Sequence, residues 1–251
     1  MTIVITGGTR GIGKAIALVL AKAKHNLVLT YVNDDKNALQ TKEELEKYTN
    51  VLILKSDVSK EEEVIKLRDN TISKFGLIDV LINNAGIALD TILEDKTVDN
   101  FKRILDVNLI GPFLTSKYIG EYMFKNKKGK IINISSTNGI DTYYKESLDY
   151  DASKAGLNSI THNFANIYAP YVIVNAIACG WVDTDMNKDM DIEFKNKQLN
   201  KILLNRFANS EEIANVVNYL INDTYINSSI IRVDGGVKND WWIRAWLFRT
   251  I

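Results

Sequence analysis

Short apolar runs rich in β-branched residues alternate with longer stretches in which apolar positions recur every three or four residues, from position 2 to about position 235. The runs Thr2–Thr6, Asn26–Val32, Val51–Leu54, Val80–Asn83, Lys130–Ser135, Val172–Ile177 and Ile230–Val233 predict strands. Most are continuous rather than alternating, the pattern of strands covered on both faces. Between them, Gly11–Lys24, Lys60–Phe75 and Glu211–Asn222 read as amphipathic helices, the last with Ser210 as its N-cap. This regular alternation predicts one α/β domain over 1–237, a doubly wound parallel sheet with helices on both faces and right-handed crossovers.

Two stretches break the pattern. Asp183–Arg206 is polar and Lys/Asn-rich, contains Met186 and Met190, and reads as a mobile flap. Residues 238–251 carry Trp241, Trp242, Trp246 and Phe248 and read as an aromatic tail. Trp242 and Trp246 fall at helical i,i+4 spacing, and so much apolar surface reads best as a contact between subunits.

Composition narrows the function. The 251 residues hold 31 basic and 31 acidic side chains, so no global field favours nucleic acid or an anionic membrane. Cys179 is the only cysteine, which fits a reducing compartment and a cytoplasmic location. The opening Met1-Thr2-Ile3-Val4-Ile5 lacks a basic leader and reads as a buried strand rather than a signal peptide. No run of eighteen apolar residues predicts a membrane span, and no residue cluster predicts a metal site.

The first predicted strand runs into Thr6-Gly7-Gly8-Thr9-Arg10-Gly11-Ile12-Gly13 and then a helix. Gly7, Gly11 and Gly13 permit a tight turn that brings backbone N–H groups and a helix N-terminus to a pyrophosphate. That strand–turn–helix context predicts a dinucleotide site of Rossmann-like type. About 20 residues on, where a carboxylate would hold a ribose 2′-hydroxyl, stands Tyr31. With no acid there and Arg10 in the loop to meet a 2′-phosphate, the pattern favours NADP(H) over NAD(H). Asp34 and Asp35 lie close behind.

Further on come Asn83-Asn84-Ala85-Gly86, Asn108, Ser135-Ser136, Tyr150-Asp151-Ala152-Ser153-Lys154 and Val233-Asp234-Gly235-Gly236. Together with the glycine loop, this order resembles the short-chain dehydrogenase/reductase family, nearest its bacterial β-ketoacyl-ACP reductase branch, over Thr2 to Gly236. The resemblance implies an NADP(H)-dependent oxidoreductase that reduces a carbonyl to an alcohol by hydride transfer. It implies Tyr150 as general acid, with Lys154 one helical turn away favouring the phenolate and meeting the nicotinamide ribose. Ser136 would hydrogen-bond the substrate oxygen, and Asn108 would support a water linking Lys154 to solvent. For the cofactor, the resemblance implies contacts from Gly7, Thr9, Arg10, Gly11, Ile12 and Gly13 in the loop. Tyr31, Asp57, Val58, Asn84, Ala85 and Gly86 follow, then Gly180, Val182 and Thr184. Cys179 stands before Gly180 where the family usually has proline, and reads as a small buried filler.

The substrate is less legible. Ile87, Ala88, the Thr137–Ser147 loop, Trp181 and the flap after Thr184 are expected to line its pocket, with Tyr143, Tyr144 and Lys145 replacing the small stretch usual in acyl-carrier reductases. Lys125, Lys127, Lys128 and Lys130 offer part of a docking patch for an acidic carrier protein. An acyl-carrier substrate and a free ketone, sugar or polyol both stand, as does a homotetramer or homodimer by resemblance. A function of another class, a non-catalytic NADP(H)-binding redox sensor, would be free to lose Tyr150 or Lys154; both are present.

Overall fold

In the computed structural model, residues 1–184, 187 and 190–237 are described. The aromatic tail and Met186 lie outside them. Seven strands form one parallel sheet: β1 (Thr2–Ile5), β2 (Asn26–Tyr31), β3 (Val51–Lys55), β4 (Val80–Asn83), β5 (Gly129–Ser136), β6 (Val172–Cys179) and, last in chain order, Ile230–Val233. A separate parallel pair, β7 (Val182–Asp183) and β8 (Ala208–Asn209), makes that last strand β9. The sheet order β3-β2-β1-β4-β5-β6-β9 is the doubly wound arrangement expected. At two residues each, β7 and β8 are too short to leave a periodicity.

Continuous apolar strands produce two cores because successive side chains point to opposite faces. Ile3, Ile5, Leu27, Leu29, Ile132 and Ile134 face one side, with Ile16 and Leu20 of α1 (Gly11–Lys22) and Leu45 of α2 (Asp35–Glu46). Val4, Val28, Leu81 and Ile131 face the other, with Leu67 of α3 (Glu61–Phe75). Two later helices close that second face: α5 (Gly111–Lys125), which follows α4 (Val98–Leu105), and α6 (Leu148–Tyr168). Among the described residues, α7 (Ile192–Leu199) and α8 (Ser210–Asn222) complete the set, and α8 packs on the first face. No helix of the described residues is long and apolar enough to cross a membrane.

A polar seam interrupts the second core. Asn83 and Asn133 are register partners on β4 and β5. The Asn83 amide donates to Asn133 Oδ1 at 2.8 Å and to Ser116 Oγ at 3.1 Å, while Thr115 Oγ1 donates back to Asn83 Oδ1 at 2.6 Å. Asn133 passes the chain to Thr161 Oγ1 at 2.8 Å. Each buried amide is therefore satisfied from neighbouring elements, which removes the cost of burying it.

One local expectation is corrected. The N-cap of α8 is Asn209, not Ser210: the Asn209 side chain accepts from Glu212 N at 3.0 Å, and Glu212 Oε2 accepts from Asn209 N at 2.9 Å. Asn209 is still extended, at φ −83° and ψ 157°, so its side chain reaches the first turn, whereas Ser210 is already helical. The polar 183–206 stretch is not featureless, since it carries α7.

Candidate active site

Strand β1 sits between β2 and β4, so the connections leave it in opposite directions and a crevice opens at the carboxyl ends of β1 and β4. Thr6 and Asn84 tie the two loops there. Asn84 N and Ala85 N both donate to Thr6 Oγ1 at 3.0 Å, and the Asn84 amide donates to Thr6 O at 2.9 Å and Gly7 O at 3.0 Å. Gly7 and Gly11 have φ of +61° and +52°, the left-handed region that glycine enters freely. A Cβ at Gly13 would lie 2.3 Å from Gly7 O, so only glycine lets the helix start this close to the turn.

This cradle fits a dinucleotide pyrophosphate. Arg10 at the N-cap of α1 puts no side-chain hydrogen bond on the first turn, which leaves the helix N-terminus open to an anion. Thr184 closes over the loop, its Cγ2 3.9 Å from the Cβ position of Gly11. The stretch before it is anchored by Gly180 N donating to Val233 O at 2.9 Å and by Val182 in β7. Thr9 is buried, with its carbonyl taken by Thr41, and Ile12 packs into the first core.

At the adenosine end, Arg10 is exposed; hydrogen bonds from Asn37 and, less strongly, the Arg10 charge hold the Asp34 carboxyl below its usual range. Asp34 is engaged as the N-cap of α2, accepting from Asn37 N at 3.0 Å. Asp35 meets Lys55 at 3.3 Å and the Tyr31 hydroxyl, and Tyr31 is pushed up by desolvation and by that hydrogen bond. Both carboxylates thus have partners. Asp57 follows β3; burial alone would raise its carboxyl, but hydrogen bonds from Ser59 and the Arg103 guanidinium hold it below its usual range. Val58 packs against Gly111, where a Cβ would stand 2.6 Å from Val58 Cγ2.

The four expected catalytic residues converge at the same edge. Ser136 ends β5, while Tyr150 and Lys154 lie one turn apart on α6. Asn108 sits in a π-helical turn at Asp106–Ile110, between α4 and α5. The Ser136 hydroxyl lies close enough to the Tyr150 phenol to oppose part of the rise that burial causes, and Lys154 Nζ stands 5.5 Å from the Tyr150 ring centre. Lys154 Nζ donates to Ile134 O at 2.9 Å and lies 3.8 Å from the Cβ position of Gly86. The Asn108 side chain is committed to Ile87, accepting from its N at 2.9 Å and donating to its O at 2.9 Å, and it reaches Ser153 Oγ at 3.2 Å.

Burial governs the electrostatics. It pushes the Tyr150 phenol well above its ordinary value and brings the Lys154 ammonium down to about 8. Burial also pushes the Cys179 thiol up to about 12, which suits an inert filler rather than a nucleophile. Among the described residues no acidic, His or Cys cluster is arranged to hold a metal.

The expected pocket-lining loop and Trp181 make contacts whose partners carried no sequence signal. Asn138 accepts from Ser136 Oγ at 3.1 Å and donates to Asp151 Oδ1 at 2.6 Å. Tyr144 swings in toward α7: Trp181 Nε1 donates to its hydroxyl at 3.0 Å, and the hydroxyl donates to the buried Gln198 at 3.1 Å. Tyr144, Trp181 and Phe194 pack with ring centres 5.7–6.1 Å apart, closing one wall of the expected substrate pocket, while Tyr143 points outward.

The suggested docking lysines lie at the opposite end of the sheet. Lys130 is the second residue of the strand that Ser136 ends, so they stand about 20 Å from the site of their own chain. Lys125 pairs with Glu121 at 2.7 Å and Lys128 with Asp79 at 2.9 Å. Lys130 is spent on the carbonyls of Leu220, Ile221 and Asp223 at the end of α8.

A Rossmann-type sheet with a tyrosine–lysine pair beside its nucleotide crevice defines a nicotinamide-dependent oxidoreductase. Comparison with known proteins sharpens this class. Residues 7–238 match the family model described as enoyl-(acyl carrier protein) reductase. The chain is 35% identical to glucose 1-dehydrogenase 2 of Bacillus subtilis over 94% of each chain. It is 36% identical to a 3-oxoacyl-[acyl-carrier-protein] reductase of Synechocystis sp., covering 93% of this chain and 95% of that one. A short chain dehydrogenase from Burkholderia cenocepacia, solved in complex with NADP, superposes with a TM-score of 0.87 at 27% identity, over 93% of this chain and 96% of that one. The chain belongs to the short-chain dehydrogenase/reductase family of oxidoreductases.

Proposed function

We propose that this protein reduces a carbonyl to a secondary alcohol with NADPH, through Tyr150, Lys154, Ser136 and Asn108. The observation that carries the proposal is the Ser136–Tyr150–Lys154 cluster beside the glycine loop at the carboxyl edge of the sheet. When bound there, the nicotinamide supplies the hydride. Ser136 Oγ holds the substrate oxygen as negative charge grows on it, and Tyr150 delivers its phenolic proton to that oxygen. Lys154, protonated below about pH 8, stabilises the phenolate left behind. Asn108 keeps the Ile87 segment and Ser153 in place around this exchange.

Arg10, with Asp34 and Asp35 both engaged, favours NADP(H), and the Burkholderia neighbour's NADP agrees. Arg10→Ala is expected to weaken NADPH binding about tenfold, the worth of one charge-assisted contact, and NADH binding less than about twofold. Cofactor titration by fluorescence measures both, and equal losses would remove the 2′-phosphate role. The buried, unpaired thiol of Cys179 fits a cytoplasmic setting.

A 3-oxoacyl thioester is the first substrate class, supported by the Synechocystis relative. A free sugar, polyol or small ketone is the second. Two observations favour it: the Bacillus relative is a glucose dehydrogenase at 35% identity against 36% for the Synechocystis reductase, and the docking lysines stand far from their own site. NADPH oxidation should be followed against acetoacetyl-CoA, diketones and ketoses, with glucose and NADP+ for the reverse. Turnover of acetoacetyl-CoA alone selects the first class and turnover of free sugars or ketones the second. Binding of NADPH with no turnover of any of them would overturn the enzymatic reading.

A further inference from the structure

The loop that leaves β4 and leads to α4 crosses the first turn of α6 beside Tyr150, and three separate contacts hold it there. Ile87 is clamped by the Asn108 side chain, and Thr91 N donates to Glu146 O at 3.2 Å. The third contact is an ion pair, Lys96 Nζ to both Asp149 carboxylate oxygens at 2.9 Å. Its side chains are 4% and 0% exposed, the most deeply buried ion pair among the described residues.

Every hydrogen-bonding group in this pair is placed. Lys96 spends its third contact on Leu89 O at 3.3 Å, within the same loop. Asp149 is the second residue of α6, and its Oδ1 also accepts from Tyr150 N at 2.9 Å. The carboxylate is thus bonded to the backbone of the proton donor itself and sits in the first helical turn, where negative charge is favoured. Two charges buried this deeply give up their hydration, and such pairs are often no more stabilising than a well-packed apolar pair. Stability alone therefore explains the pair poorly, and its location explains it better.

We propose that Lys96 and Asp149 are positioning residues for Tyr150, locking the loop from β4 onto the first turn of α6 and cancelling the Asp149 charge at the Tyr150 backbone. The inference rests on the proton-donor role given to Tyr150 above. The charged and titratable groups around that phenol come from several elements. Lys154 and Asp151 lie on its own helix, Cys179 on β6, and Asp90 on the loop, with Lys96 one step further out on Asp149. Lys96 also opposes the rise in the Asp90 carboxyl that desolvation causes. Losing the Lys96 cation leaves an uncancelled carboxylate whose field raises the titration of both Tyr150 and Lys154, because each is easier to keep protonated near negative charge.

The test compares the full-length protein with Lys96→Met, the conservative Lys96→Arg, and the double variant Lys96→Met/Asp149→Leu. Three properties are followed: the pH profile of carbonyl reduction, the NADPH dissociation constant, and amide hydrogen exchange of segments 87–97 and 144–151. For Lys96→Met, kcat is expected to fall about tenfold or more. KM and NADPH affinity should stay within about twofold, and the alkaline limb should move up by about one pH unit. Exchange should quicken in those two segments together and not in β1–β3. The double variant should return the limb to its original position because the uncancelled charge is gone, and Lys96→Arg should recover most of the lost kcat.

An unmoved limb in Lys96→Met, a limb that stays shifted in the double variant, or exchange that rises throughout the molecule would each overturn the proposal. Hydrogen exchange needs no substrate. An unaltered protein that turns nothing over would fail the enzymatic reading, while coupled exchange of the two segments would still decide the locking role.

Discussion

Replacing Tyr150 by phenylalanine is expected to lower carbonyl reduction by about a thousandfold, the scale of a positioned general acid, with NADPH binding kept within about threefold of the unaltered protein. The phenol is the proposed proton donor of the cluster, and burial holds its proton on at neutral pH. Ser136 donates to Asn138, and Lys154 Nζ is turned toward Ile134 O, so neither is placed to take over. The ring itself stays, so α6 keeps its packing and the cofactor cradle, built from β1, β4 and α1, is untouched. Steady-state turnover with the best substrate of the panel, set beside fluorescence titration with NADPH, measures both halves. A variant with more than about a tenth of normal activity would assign the proton to another donor.

Lys154→Met has the second large effect, and it acts in two directions. Turnover falls by about a hundredfold or more, because the phenolate loses its neighbouring cation. Stability, by contrast, rises. Folding brings the ammonium from an ordinary value of about 10.4 down to about 8, a cost of roughly 3 kcal/mol at neutral pH. Methionine fills much the same space without the charge. Losing the hydrogen bond to Ile134 O offsets about 1 kcal/mol, leaving a net gain of about 2 kcal/mol. The melting temperature should rise by about 4–8 °C at pH 7.

The sign with pH follows from proton binding. Between about pH 8 and the unfolded value of about 10.4 the unfolded chain holds the extra proton, so the cost is full below pH 8 and is relieved as pH climbs through that window. The stability advantage of the variant should therefore shrink from pH 8 to pH 10. Melting curves at a series of pH values check this, and an advantage that does not change with pH would mean the lysine is not a buried cation. In the unaltered protein the reduction rate should begin to fall above about pH 8, where Lys154 gives up its proton.

What the sequence revealed and what it hid divide along one physical line, the distance over which a pattern operates. The strands were legible because a strand buried on both faces must be largely apolar, and β4 falls at the positions read from the chain. The glycine turn and the Tyr150–Lys154 spacing were legible because each is a local geometry, a tight turn in one case and a single helical turn in the other. The Lys96–Asp149 pair spans 53 residues, and the Tyr144–Gln198 contact 54, so no local pattern announces either. Lysines 125, 127, 128 and 130 looked like a patch because they are neighbours in sequence. Only the direction of β5 shows that they belong to the far end of the sheet. At α8, Asn209 and Ser210 both suit an N-cap by residue type, and the backbone conformation decides between them.

The polar seam through β4 and β5 bears on how the reactive groups come to be aligned at all. Two parallel apolar strands can slide past each other by one residue at little penalty in burial, yet such a slip would carry Ser136 about 3.3 Å along the sheet and turn it to the opposite face. With Asn83 set against Asn133 and both amides bonded to Thr115, Ser116 and Thr161, the slipped pairing leaves several polar groups stranded among hydrocarbons. The seam acts as a key cut for one depth of insertion. A chain that has formed its central sheet has, by that same act, brought Ser136 level with the crevice, so accuracy at the ångström scale is decided when the strands pair rather than by later adjustment around the substrate.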